Sequence, residues 1–210
     1  FIDTSSNNSF TDNNAHNNTN GIVLYSGSDN TLTNNSAFNN AFSGFNINNS
    51  YATSLANNSA YLNGDFLNII DGIGFYAFRS DNLTMYNNTA MDNLPGELES
   101  IGFEIESSKD VKFINNTDSN DTIAFFISYT NQSNFTGNTA HDDSSDAFYV
   151  FYSNDNTFIQ NVVYRNPQSF QTYYSNGSRL YNNTFCNSTT PGFYAVFLRF
   201  SNDTAISGDH

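Results

Sequence analysis

The sequence predicts an all-β chain wound into a parallel β-solenoid. Three observations predict it: a small residue recurs along the whole chain, two apolar columns keep step with it, and an asparagine column follows the second. The small residues are Gly21, Gly44, Gly74, Gly102, Ala124, Ala147, Ser169 and Ala195, spaced by 23, 30, 28, 22, 23, 22 and 26 residues. No segment shows the helical apolar period that a βαβ crossover would need. Strand therefore follows strand around a coil, and about nine coils at ~4.8 Å each give a rod roughly 40 Å long.

Each coil opens on its longest strand. Positions one and three after the small residue are mostly apolar: Ile22/Leu24, Phe45/Ile47, Phe75/Ala77, Phe103/Ile105, Phe125/Ile127, Phe148/Val150, Phe170/Thr172 and Val196/Leu198. This is the alternation of a strand with one face in a core. A second strand is marked by Phe10, Leu32, Leu55, Met85, Phe113, Phe135, Phe158, Leu180 and Ile206. Three residues beyond stand Asn13, Asn35, Asn58, Asn88, Asn116, Asn138, Asn161 and Asn183, then Asp209. Asparagine tolerates the left-handed backbone of a sharp corner, and its amide can bond to the coils above and below as a ladder. Two residues later comes a third column of mostly small residues: Ala15, Ala37, Ala60, Ala90, Asp118, Ala140, Val163 and Phe185. A looser polar column follows at Asn18, Asn40, Asn63, Asn93, Asp121, Asp143, Asn166 and Ser188.

Composition narrows the function classes. The chain has 210 residues, enough for one domain spanning 1–210, with 12% charged residues yet a net charge of −14. Aromatic residues make up 16%, which is unlike a disordered acidic tail. Six basic residues argue against a nucleic-acid partner, because phosphate binding needs Lys and Arg. No apolar run is long enough to insert into a membrane. Cys186 is the lone cysteine, so no internal disulfide exists.

Departures from the plain coil carry the candidate sites. Extra residues enter at 64–73, 94–101 and 189–194, and solenoid insertions often project from the binding side. The first two belong to successive coils. With the residue just before the second, they bring Asp65, Asp71, Asp92, Glu97 and Glu99 as candidate oxygen ligands for Ca²⁺, although no cofactor is required by the fold. The outward positions of the long strand change from Asn46, Asn48, Glu104 and Glu106 to Phe126, Tyr149, Phe151, Tyr173 and Phe197. Tyr129, Tyr152 and Tyr174 lie one position further along. An aromatic strip of this kind marks an interface or a glycan-stacking surface. Among the many Asn-x-Ser/Thr sequons, Asn34, Asn57, Asn87, Asn115 and Asn182 precede ladder residues and point outward as candidate glycosylation sites.

The units GIVLYSGSDNTLTNN and FINNTDSN, with the column from Asn13 to Asn183, resemble the right-handed parallel β-helix repeat family. Within it, the likeness is to asparagine-rich surface proteins of archaea and to the periplasmic β-helix protein of copper-centre maturation. The resemblance implies the right-handed fold and leaves function open, since this repeat serves lyases, hydrolases, adhesins and structural proteins alike. Asn116-Thr117-Asp118 and Asp142-Asp143 are similar to polygalacturonase motifs, but the Gly-His-Gly and Arg-x-Lys motifs of that family are missing. Asp118 and Asp143 also fall in interior columns, so the sequence predicts no catalytic residues. Repeats run to both ends without a cap. The first expectation is thus an extracellular or cell-surface structural protein whose copies stack head to tail or laterally in a fibre, sheath or surface layer. The alternative is a carbohydrate-binding or polysaccharide-cleaving β-helix domain.

Overall fold

A computed structural model describes residues 1–65, 71–93, 99–186 and 194–210. Three parallel sheets run along the rod, two of nine strands and one of eight, and every hydrogen-bonded neighbour comes from the adjacent coil. Among the described residues there is no helix. The long strands form one sheet, which includes Ser43–Asn48, Ile73–Phe78, Ile101–Glu106, Ile123–Ser128, Asp146–Phe151 and Gln168–Tyr173. The two columns of three-residue strands form the others.

The observed register pairs the expected columns residue for residue. Phe45 aligns with Phe75, Phe75 with Phe103, Phe103 with Phe125 and Phe125 with Phe148. Met85 aligns with Phe113, and Phe113 with Phe135. These side chains fill the coil interior. The rings of Phe45, Phe75, Phe103, Phe125 and Phe148 stack with centroids 4.7–5.0 Å apart, which is the coil spacing itself. Phe113 meets Phe103 edge to face at 5.8 Å, so the two apolar columns interlock across a narrow core. Small residues face one another where the strands come closest. A Cβ on Gly44 would lie 2.9 Å from Cβ of Ala60, and one on Gly74 2.9 Å from Cβ of Ala90.

Most corners follow one rule. A residue with positive φ is followed by an inward polar residue that accepts the backbone N–H of its counterpart on the preceding coil, whereas Asn82 and Asp110, also at positive φ, are followed by buried Leu83 and Val111. At the main corner Asn34, Asn57, Asn87, Asn115 and Asn182 have φ of 53–56° and are exposed. The next residue is the ladder asparagine. Asn116 N–H and Asn116 Nδ2 both donate to Asn138 Oδ1, at 2.9 and 3.1 Å, and Asn138 Nδ2 donates to Asn161 Oδ1 and to the Phe113 carbonyl, both at 3.0 Å. The pattern runs from Asn13 through Asn35, Asn58, Asn88 and Asn161 to Asn183 and Asp209. Asn18, Asn40 and Asn63 repeat it at the second corner. A third ladder, of hydroxyls, was not expected from sequence: from Ser50 on, Ser80, Ser108, Thr130, Ser153, Ser175 and Ser201 each accept the N–H of the preceding rung at 2.9–3.3 Å.

Substituting Asn138→Ala strands two donors of Asn116 and the Phe113 carbonyl in a dry interior. The expected cost is about 2–4 kcal/mol, read as a lower urea midpoint. Asn115→Gly, one corner position away, is expected to change stability by no more than about 0.5 kcal/mol, because the column already accepts Gly137 at φ 65°.

Candidate functional site on the outer face of the long-strand sheet

The interior columns are spoken for by packing, so chemistry is left to the outward residues. On the long-strand sheet two outward columns run the length of the rod. One contains Asn46, Tyr76, Glu104, Phe126, Tyr149 and Gln171, and the other Asn48, Phe78, Glu106, Ser128, Phe151 and Tyr173. Beside the first column a cavity of about 340 Å³ opens where the insertions leave the coil. Asp71, Glu99, Tyr76 and Glu104 supply its polar lining, and Phe42, Ile73 and Ile101 its apolar wall.

The geometry couples these groups. Glu99 N–H donates to Asp71 Oδ1 at 3.2 Å, so the ends of the two insertions meet as expected. Tyr76 donates its hydroxyl to Glu106 Oε2 at 3.4 Å. Burial pushes the Glu104 carboxyl up to about 7, with the Glu106 charge adding to the effect. Burial and the two glutamates also hold the Tyr76 phenol well above its ordinary range. Glu99 is raised by burial and by Asp71. Asp146, at the start of a strand two coils on, is raised to about 6 by burial, with the Glu99 charge acting in the same direction. The cavity is thus a patch of carboxyl groups, one of which, Glu104, is raised to about 7.

Beyond it the face turns aromatic. Phe126 and Tyr149 lie 5.4 Å apart at 47°, Tyr149 and Tyr173 5.8 Å apart at 67°, and Tyr173 and Phe197 5.8 Å apart at 59°. Inclined rings of this kind leave parts of their faces open. The corner aromatics behave differently. Tyr129, Tyr152, Tyr174 and Phe200 all take φ of 47–52°, a strained region for large side chains. They stack nearly parallel at 5.4, 4.8 and 4.8 Å. Their faces are covered by one another, and they present edges to solvent. Phe151 bridges the two sets, meeting Tyr152 edge to face at 4.5 Å.

Other sequence candidates are dispersed. Asp65 lines a separate hollow with Asn18, Asn39 and Gly64. Asp92 is an exposed corner residue, and its charge acts on the interior Asp121. Glu97 lies outside the described residues. Among the described residues, no three His, Cys, Asp or Glu side chains come together as a metal site. The five sequon asparagines sit exposed at the main corner. Asp118 and Asp143 are interior, as their columns required. Asp142 is outside, where Arg165 holds its carboxyl well below the usual range. Sequence reasoning missed Tyr76 and Asp146. Both were within reach, since Tyr76 shares the outward column of Asn46 and Glu104, while Asp146 opens a long strand.

Residues 1–142 match the right handed beta helix region, and the chain belongs to that family. Residues 97–195 also match the periplasmic copper-binding protein family NosD. Among the described residues, the His, Cys and Met side chains are not gathered as a copper site would need. His141 and Cys186 share an outward column but Tyr164 stands between them, and Ser119 separates Met91 from His141. Solved structures give the same fold at low identity. The A-module of the mannuronan C-5 epimerase AlgE4 of Azotobacter vinelandii is 15% identical with a TM-score of 0.60, over 88% of this chain and 56% of that one. The periplasmic alginate epimerase AlgG is 12% identical with a TM-score of 0.56, over 90% and 59%. Pectate lyase Pel9A is 18% identical with a TM-score of 0.55, over 85% and 51%. The chain spans somewhat more than half the length of these proteins. No curated protein sequence matches it.

The raised Glu104 titration has a definite sign. Its folded value lies above the unfolded one, so the stability it contributes is full below about 4.5 and is lost as pH rises toward 7. Side-chain carboxyl NMR is expected to place its midpoint near 7, and Glu106→Gln is expected to lower that midpoint by removing a like charge.

Proposed function

We propose that the protein is a carbohydrate-binding β-helix acting outside the cytoplasm, and that it holds a polysaccharide chain along the outer face of its long-strand sheet. The observation that carries this reading is the continuity of the carboxyl-lined cavity at Tyr76, Glu99 and Glu104 with the inclined rings of Phe126, Tyr149, Tyr173 and Phe197. Sugar hydroxyls donate to carboxylates, and the C–H faces of pyranose rings pack on aromatic rings. A linear series of such groups suits an extended chain rather than a compact ligand. Two of the structural neighbours are named as alginate or mannuronan epimerases and one as a pectate lyase, which supports a polysaccharide as the ligand class. The periplasmic names of AlgG and of the NosD family support a site outside the cytoplasm.

The charge of the face argues for a neutral polysaccharide. Asp71, Glu99 and Glu104 bring acidic groups together in the cavity, with Glu106 beside Tyr76, on a chain of net charge −14. A polyuronate would meet like charge there, which costs affinity and slows encounter. Stacking of copies into a fibre, the first expectation from sequence, draws no support from the family match or the structural neighbours.

A panel of soluble polysaccharides tests the reading by calorimetry. Neutral chains are expected to bind, alginate and polygalacturonate to fail at low salt, and Tyr149→Ala to weaken binding about tenfold, roughly 1.4 kcal/mol. Absence of binding to every neutral chain, or binding indifferent to both Tyr149→Ala and Glu104→Gln, would sink the proposal. New reducing ends released by the wild type but not by Glu104→Gln would move the assignment from binding to cleavage.

A further inference from the structure

One coil breaks its own rules. Where neighbouring coils carry alanine in the third column, this one carries Asp118, aligned with Ala90 and Ala140. Its side chain is fully buried. It reaches across the core toward the long strand, and a Cβ on Gly102 would collide with its carboxylate. Neither carboxylate oxygen receives a hydrogen bond from any N–H or hydroxyl. The groups within bonding reach are two further carboxyls, Asp121 and Asp143.

Those two replace asparagine in the second-corner ladder. In the plain ladder each Nδ2 donates to the next Oδ1, as Asn40 does to Asn63 and Asn63 to Asn93, both at 3.0 Å. Asn93 keeps to this pattern, donating N–H at 2.7 Å and Nδ2 at 3.0 Å to Asp121. Asp121 has no amide to pass on. It reaches Asp143 through its backbone N–H alone, at 3.1 Å. From the other side Asn166 Nδ2 turns back to donate to Asp143 Oδ2 at 2.9 Å. Side-chain amide donors thus converge from both directions on a gap where three carboxyl groups meet and no side-chain amide hydrogen remains between them.

Charged neighbours do not fill the gap. Among the described residues the ion pairs involve Asp142 with His141 and Arg165 on the outer surface. The other charge acting on the cluster is Asp92, which is also negative. The three carboxyls do not form a metal-binding group. Three ionised carboxylates in a dry interior without a cation would be prohibitively unfavourable. Protons are the species that complete the arrangement, since each turns an O···O contact into an O–H···O bond.

We propose that Asp118, Asp121 and Asp143 form a buried proton-binding site whose shared protons stand in for the missing amide hydrogens of the ladder. The proton load makes the middle of the rod a pH-sensitive joint. Burial raises all three acids, Asp121 and Asp143 to about 7 and Asp118 well above its ordinary value. Folded values above unfolded ones give stability that is full below about 4 and is lost as pH rises through the folded range. The joint is tightest in acid and loosens in mildly alkaline solution.

Urea unfolding of wild type, Asp118→Asn and Asp118→Ala across pH 4.5–8.5 tests the site. The alanine variant restores the Ala-against-Gly contact of the neighbouring coils, and the asparagine variant keeps the volume. Glu104 and Asp146 titrate in the same range, so the informative quantity is the difference between proteins. Relative to either variant, the wild-type folding constant is expected to fall about tenfold per pH unit for each proton Asp118 retains. A difference infrared spectrum at pH 7 is expected to show the carbonyl stretch of a protonated carboxyl that Asp118→Asn removes. Parallel pH profiles, or a difference spectrum without that band, would overturn the proposal. So would stabilisation of the wild type at pH 8 by Ca²⁺ or an alkali cation that Asp118→Asn does not share, because a cation would then fill the gap.

Discussion

The structure depends on what happens to the backbone N–H at each corner. Strand residues find their partners automatically one coil above and below, but a corner turns the N–H inward, where there is no water. The solution repeats along three corner columns: one residue takes the left-handed conformation, and the next sends a polar side chain inward to accept the stranded N–H of the preceding coil. Asparagine does this best, because its amide both accepts and donates, so Asn138 closes four bonds at once. Serine and threonine serve at the third corner, where one acceptor is enough. Register between coils is fixed by these side chains as firmly as by the strands, since a one-residue slip would bury an orphaned donor at every rung.

That dependence explains how much was legible in the sequence. A residue forced by geometry at every coil leaves a period, and Asn13 to Asn183 with the phenylalanine columns left one strong enough to give fold, register and interior faces. The hydroxyl ladder obeys the same geometry but was not visible. Ser50, Ser80, Ser108 and Thr130 are common residue types in a Ser- and Thr-rich chain, and two residue types satisfy the position equally. Asp71 and Glu99 were legible as neighbours because insertions on successive coils must meet. Asp65 was not separable from them, because sequence does not say where along an insertion the chain leaves the coil. Tyr76 was placed by its column, which it shares with Asn46 and Glu104, but no recurring residue type marked it, since that outward position is not fixed by the coil.

The same freedom locates function. An interior position in this fold is chosen by packing or by the ladder, so it carries little information about a ligand. The outward columns of the long-strand sheet have no structural duty, yet they change character sharply, from asparagine through carboxylates to aromatics. The aromatics that follow divide by backbone conformation. Tyr129, Tyr152 and Tyr174 are held in a left-handed conformation that ordinarily belongs to asparagine or glycine, and their mutual stacking at the coil spacing offsets the strain. Those rings consume their own faces in the structure. Phe126, Tyr149 and Tyr173 sit in relaxed strands with inclined rings, and the surface available to a ligand is theirs.

A ladder also limits where substitutions of charge can occur. An aspartate in place of asparagine keeps the accepting half of the rung, as Asp209 does toward Asn183 N–H and Nδ2. In the middle of a run the same change removes a donor that the next rung needs. Two adjacent changes, Asp121 and Asp143, reverse the direction of donation on one side and leave acceptors facing acceptors. The nearby alanine position could have remained apolar, and an extra carboxyl at Asp118 would then be pure cost. Its presence against Gly102, with both oxygens buried and neither accepting an N–H or hydroxyl, is coherent only if the three acids act as a unit with fewer charges than carboxyl groups. The aspartates inside the rod and the glutamates on its face are therefore different in kind. The first answer to the ladder inside the rod, and the second to Tyr76 and to the cavity on its outer face.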